Sequence, residues 1–189
     1  MAVSVLDPRP ALLVIDLQKG IVSLPLAQPI DDVVNRAGAL AGAFRRHQLP
    51  VVLVNVDAGA PGRTERPPRT ASFPPGWTDL IPELNRQPQD HLVTKRTWGA
   101  FTGTDLEAHL RRLGVTQVVI AGVATSAGVE STARHAHELG FNVALAIDAM
   151  TDMNPDAHVN SVTRIFPKLG ETGTAAEIID LLEKRNASQ

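Results

Sequence analysis

The chain has no cysteine and no tyrosine among its 189 residues. Without cysteine there is no disulfide, no zinc–thiolate site and no thiol nucleophile. Large aromatics are scarce: five phenylalanines and two tryptophans. Neither sign of charge dominates, since the formal net charge is −2 with the signs interspersed. That excludes the electrostatic footprint of a nucleic-acid binder or of a protein drawn to an anionic membrane surface. No apolar run approaches the length of a membrane span. The opening MAVSVLDPRP lacks a basic region followed by a long apolar stretch, so no secretory signal is expected. G-x-G-x-x-G and G-x-x-x-x-G-K-[ST] are also missing, which removes the usual sign of a nucleotide cofactor. The six histidines are scattered and form no H-x-x-x-H pair, so no metal is expected.

What is present is a soluble composition, 43% hydrophobic and 20% charged. It is enough for one domain over residues 1–189 with a sizeable core. A cytoplasmic protein is the expectation. Leu12 to Ile15, Val51 to Val56, His91 to Thr94, Val118 to Ile120, Asn142 to Ile147 and Leu169 to Glu171 read as strands. Helical periodicity covers Asp32–Gln48, Thr78–Leu84, Asp105–Leu113, Asp156–Phe166 and Thr174–Lys184. Another helix opens after Gly128, with Val129, Ala133 and Ala136 inward. Strands that alternate with helices predict an α/β fold: three α/β/α layers with a six-stranded parallel sheet covered on both faces. Ligands in such sheets bind beyond the carboxyl ends of the strands.

Three features fall at those ends. Asp16 follows four apolar residues and is either an acid–base group or a cap or structural ion pair. Lys95 ends its strand in the same way; it is either solvated or the partner of Asp16. The Thr125–Gly128 turn is either a capped helix start or a cradle of backbone N–H groups for a carboxylate or oxyanion. Trp98 and Phe101 follow Lys95 and either wall a pocket or pack over the end of the sheet. The Pro-, Gly- and Arg-rich stretch Asp57–Pro75 reads as a surface loop over the site, where Arg63, Arg66 and Arg69 are candidates for holding a carboxylate.

The strings LLVIDLQKGI, KRTWGAFTGTDLEAHLRRLGV and GVATSAGVESTARHAHELGFNVALAIDAMTD occur in this order and cover nearly the whole chain. In these motifs the chain resembles the isochorismatase-like hydrolases, the cysteine hydrolase superfamily. The resemblance implies a six-stranded parallel sheet flanked by helices, with Asp16 as the catalytic carboxylate and Lys95 as its partner. It further implies a non-proline cis peptide at Val123–Ala124, and substrate contacts from Gln18, Ala124, Thr125, Ser126 and Gly128. Amidase members carry their nucleophilic cysteine where this chain has Gly128. Members that hydrolyse isochorismate are similar to this chain in having glycine there; an acid protonates the vinyl ether carbon and water adds. The histidine those members carry nearby is replaced here by Ser126. The expectation is therefore hydrolysis of a small planar or carboxylated molecule, without a covalent cysteine intermediate and without a cofactor. The alternatives are an amide hydrolase using Ser126 or activated water, and a non-catalytic binding or assembly protein. A homodimer or homotetramer is implied by the family.

Overall fold

The computed structural model describes residues 3–65 and 73–186. Its centre is a six-stranded sheet, every pair parallel, in the order β3-β2-β1-β4-β5-β6. The strands are β1 (Pro10–Ile15), β2 (Val51–Val56), β3 (His91–Lys95), β4 (Gln117–Val123), β5 (Asn142–Thr151) and β6 (Glu171–Gly173). The helices are α1 (Lys19–Val22), α2 (Ile30–Arg46), α3 (Leu106–Arg112), α4 (Glu130–Glu138), α5 (Pro155–Asn160) and α6 (Ala175–Asn186). Strand pleating sorts the core. Leu12 and Val14 of β1 pack with α2 and α6, whereas Ala11, Leu13 and Ile15 pack with α3 and α4. This two-sided burial is why β1 and β4 are apolar without alternation. The expected three-layer architecture is the one observed. Among the described residues no helix is long and apolar enough to cross a membrane.

Several boundaries differ from the sequence reading, and the larger departures have local reasons. β5 runs to Thr151 rather than ending at Ile147. A register shift between Ile120 and Gly122 lets Met150 and Thr151 pair with Gly122 and Val123. Asp148 is thus inside the strand, where it accepts from the Ala175 N–H at the start of α6 (2.7 Å). The sixth strand begins at Glu171, because Leu169 and Gly170 still donate to the Phe166 carbonyl and complete the preceding turn. The Asp156–Phe166 helix divides into α5, a π-helical turn over Ser161–Ile165 and a 3-10 turn over Phe166–Lys168. Thr78–Leu84 holds only a 3-10 turn at Pro82–Leu84, because Leu80 bridges to Gln18 instead of continuing a helix.

Candidate active site

The backbone turns at Asp16. Its N–H still donates to the Val54 carbonyl (2.9 Å), as in the strand, but its φ of +52° ends β1 in the left-handed region. Aspartate tolerates that conformation better than most residues. Lys95 is the last residue of β3, and β2 lies between it and β1. Its long stem spans the intervening strand. The ammonium Nζ then donates to Asp16 Oδ2 (2.7 Å) and to the Thr97 carbonyl (3.2 Å). Asp16 is 5% exposed and Lys95 2%. Two ions this far from water are costly to desolvate, and only close, hydrogen-bonded geometry offsets that cost. The topology therefore brings together two groups 79 residues apart in the sequence.

The third side of the site is the turn between β4 and α4. The Val123–Ala124 peptide is cis, as the resemblance implies, and Thr125–Val129 forms a π-helical turn. Gly122 approaches β1 so closely that a Cβ on it would lie 2.0 Å from the Ile15 carbonyl oxygen. Gly128 faces the ion pair. A Cβ there would stand 3.2 Å from Asp16 Oδ2 and 3.1 Å from Ile15 Cγ2. A side chain at this position would therefore crowd the carboxylate.

The turn is not an open row of donors. Ala127 and Val129 both donate to the Ala124 carbonyl (3.1 Å each), and Ser126 N–H donates to Asp152 Oδ2 (2.7 Å). The Ser126 hydroxyl also donates to Asp152 Oδ2 (2.8 Å), so it is committed to Asp152 rather than to the Asp16–Lys95 pair. Thr125 is fully buried, with its hydroxyl 2.8 Å from His158 Nδ1. Burial holds the His158 imidazole below its ordinary pKa, opposed by the nearby Asp152 carboxylate.

Gln18 is fully buried and is not available to a substrate. Its amide accepts from Val56 N–H (2.7 Å) and donates to the Val56 carbonyl (3.1 Å), completing the end of β2. Phe101 is a core residue, its ring 6.0 Å from Phe141 and 5.5 Å from His135. It packs at the sheet end instead of walling a pocket. Trp98 stands in solvent, 66% exposed. Arg63 is exposed, and Arg66 and Arg69 lie outside the described residues.

Sequence reasoning missed Asp152 and His158. Both come from DMNPDAH beyond β5, and the signal was the Asn154-Pro155 helix start: Asn154 caps α5 by accepting from Asp156 and Ala157 N–H groups (2.9 and 3.1 Å). Among the described residues, no three or more ligating side chains cluster as a metal would require.

A buried carboxylate–ammonium pair thus lies beside a strand-to-helix turn, at the carboxyl edge of a doubly covered parallel sheet, where such folds bind their ligands. Comparison with known proteins specifies the class. Residues 10–177 match the isochorismatase domain. The uncharacterized isochorismatase family protein YwoC of Bacillus subtilis is 41% identical over 183 residues, spanning 91% of this chain and 93% of the relative. Nicotinamidase 3 of Arabidopsis thaliana is 33% identical, over 78% of this chain and 76% of its own. An isochorismatase family protein from Burkholderia thailandensis superposes with a TM-score of 0.92 at 44% identity, covering 96% of this chain and all of that one. This chain belongs to the isochorismatase family and is a hydrolase of that family.

Proposed function

We propose that the protein hydrolyses a small planar or carboxylated molecule by acid–base catalysis at Asp16 and Lys95, with no covalent enzyme intermediate, and that the favoured reaction is vinyl ether cleavage. The observation that carries the reading is the buried 2.7 Å contact between Lys95 Nζ and Asp16 Oδ2, with Gly128 set directly against the carboxylate. The Asp16 carboxylate takes a proton from the Lys95 ammonium and delivers it to the terminal vinyl carbon. The resulting oxocarbenium takes up water, and the hemiketal collapses to an alcohol and a carbonyl compound. The proton released by the water restores the Asp16–Lys95 pair. Lys95 keeps the carboxyl oriented and shares its proton throughout. We assign the substrate contacts to Gly128, to the adjoining Ala124 and Thr125 backbone and to the exposed Trp98.

A second reading rests on the Ser126 hydroxyl, 2.8 Å from the Asp152 carboxylate. Relatives named nicotinamidase and ureidoacrylate amidohydrolase make amide cleavage the competing reaction. In that reading Asp152 takes the serine proton as Ser126 attacks. Purified protein assayed on a panel of vinyl ethers, amides and esters separates the two. The proposed reading expects turnover of a vinyl ether that Asp16→Asn abolishes and Ser126→Ala retains. Amide turnover lost in Ser126→Ala and kept in Asp16→Asn would establish the second. We further propose a cytoplasmic homodimer or homotetramer, supported by the apolar side chains of Trp98, Met153 and Val159 in solvent; sedimentation of the purified protein tests the assembly.

A further inference from the structure

One buried hydroxyl ties the chain that follows Lys95 to the helix that follows Gly128. Thr132, on the first turn of α4, has no exposed surface. Its Oγ1 donates to the Gly128 carbonyl (2.7 Å) and accepts from the Ala100 N–H (3.0 Å). The first bond is ordinary, since threonines within helices often bond back to the carbonyl four residues earlier. The second is not: it joins segments 32 residues apart, and it captures the backbone of the loop that holds Lys95. That loop is itself linked. Lys95 Nζ donates to the Thr97 carbonyl (3.2 Å), and the Thr97 hydroxyl donates to the Gly99 carbonyl (3.1 Å). Gly99 lies flush on α4, where a Cβ would meet the Ser131 carbonyl at 3.5 Å.

We propose that Thr132 is a positioning residue for the Asp16–Lys95 pair. It fixes the loop that supplies the second acceptor for the ammonium, and it fixes the same turn whose Gly128 faces the carboxylate. Both halves of the site are thereby referenced to one atom. The inference rests on the proposed function only in taking that pair as the catalytic one. Valine has nearly the shape of threonine but neither donates nor accepts. In Thr132→Val the buried Ala100 N–H loses its acceptor, and the loop is released from α4.

The test uses the full chain labelled with 15N-lysine. The Lys95 ammonium resonance is assigned by its loss in Lys95→Met. Thr132→Val should shift or broaden the Lys95 resonance and leave those of Lys19, Lys168 and Lys184 in place, and Thr132→Ser should restore the wild-type signal. On whichever substrate the panel identifies, Thr132→Val should lower kcat about tenfold or more with KM within about twofold, because loss of orientation falls on the chemical step. Thr132→Ala carries the same comparison if the valine form does not fold. A wild-type Lys95 resonance and unchanged kcat in Thr132→Val would overturn the proposal. If Asp16→Asn leaves turnover intact while Thr132→Val still moves the Lys95 signal, the catalytic reading fails and the positioning role stands.

Discussion

Removing Lys95 alone should unfold the protein far more readily than removing Lys95 and the charge of Asp16 together. At 2.7 Å and an effective dielectric constant of about 20, the pair attracts by about 6 kcal/mol. Desolvating each ion costs several kcal/mol, so the pair as a unit is close to neutral against an uncharged replacement. Lys95→Met removes the attraction and leaves a carboxylate that is only 7% exposed in its side chain. The expected loss is about 3–5 kcal/mol. For a chain of this size that corresponds to about 6–20 °C in Tm. Asparagine is the partner substitution because it tolerates the +52° φ of residue 16. Lys95→Met with Asp16→Asn should therefore recover about 2–3 kcal/mol of the single-variant loss. Urea unfolding followed by tryptophan fluorescence, in all four members of the cycle, measures this directly. A Lys95→Met loss below about 1 kcal/mol, the range of an exposed pair, or simple additivity of the two substitutions, would refute the reasoning.

Further outcomes follow from other contacts. Alanine in place of an interior helical glycine ordinarily stabilises, but Gly128→Ala should destabilise by about 1–3 kcal/mol, because its Cβ would lie 3.2 Å from Asp16 Oδ2 and must displace it; a rise in unfolding midpoint would show that the turn faces elsewhere. Arg45 grips the buried Asp90 carboxylate with Nε and Nη2 (3.1 and 2.7 Å), so Arg45→Lys should cost about 1–3 kcal/mol by thermal unfolding, and no change would deny the two-point contact. Burial lowers the His109 pKa, aided by the His91 and Arg112 charges and opposed by Asp105. The unfolded chain then takes up this proton at higher pH than the folded one, so the stability due to His109 is complete above the ordinary imidazole value and is lost as pH falls below it. Between about pH 7.5 and about pH 5.5 the wild-type Tm should fall more than that of His109→Gln; parallel curves would show that this histidine is not the cause.

The strands and the charges at their carboxyl ends were legible because each depends on a pattern local to one strand, and the α/β topology then put Asp16 and Lys95 on one edge. Val51–Val56 is a mostly apolar run with four valines, and Asp16 and Lys95 each put a charge at the carboxyl end of a strand. What stayed hidden depends on contacts between segments. The register shift beside Gly122 prolongs β5 and moves the strand-end carboxylate from Asp148 to Asp152, and no local pattern announces that. Ser126 had two readings in the sequence; only the 2.8 Å bond to Asp152 shows where its hydroxyl goes. Gln18 and Phe101 turn on contacts of the same kind. Proximity to a site motif does not say whether a side chain faces the ligand space, the backbone of β2 or the ring of Phe141.

The most direct test of acid–base hydrolysis at Asp16 is turnover of a carboxylated vinyl ether in deuterium oxide, read by NMR of the product. Protonation at carbon by an exchanged Asp16 carboxyl predicts one deuterium on the former vinyl terminus. It also predicts a rate at least about a hundredfold lower in Asp16→Asn. A product with no deuterium at that carbon, formed at the same rate by wild type and Asp16→Asn, would contradict it.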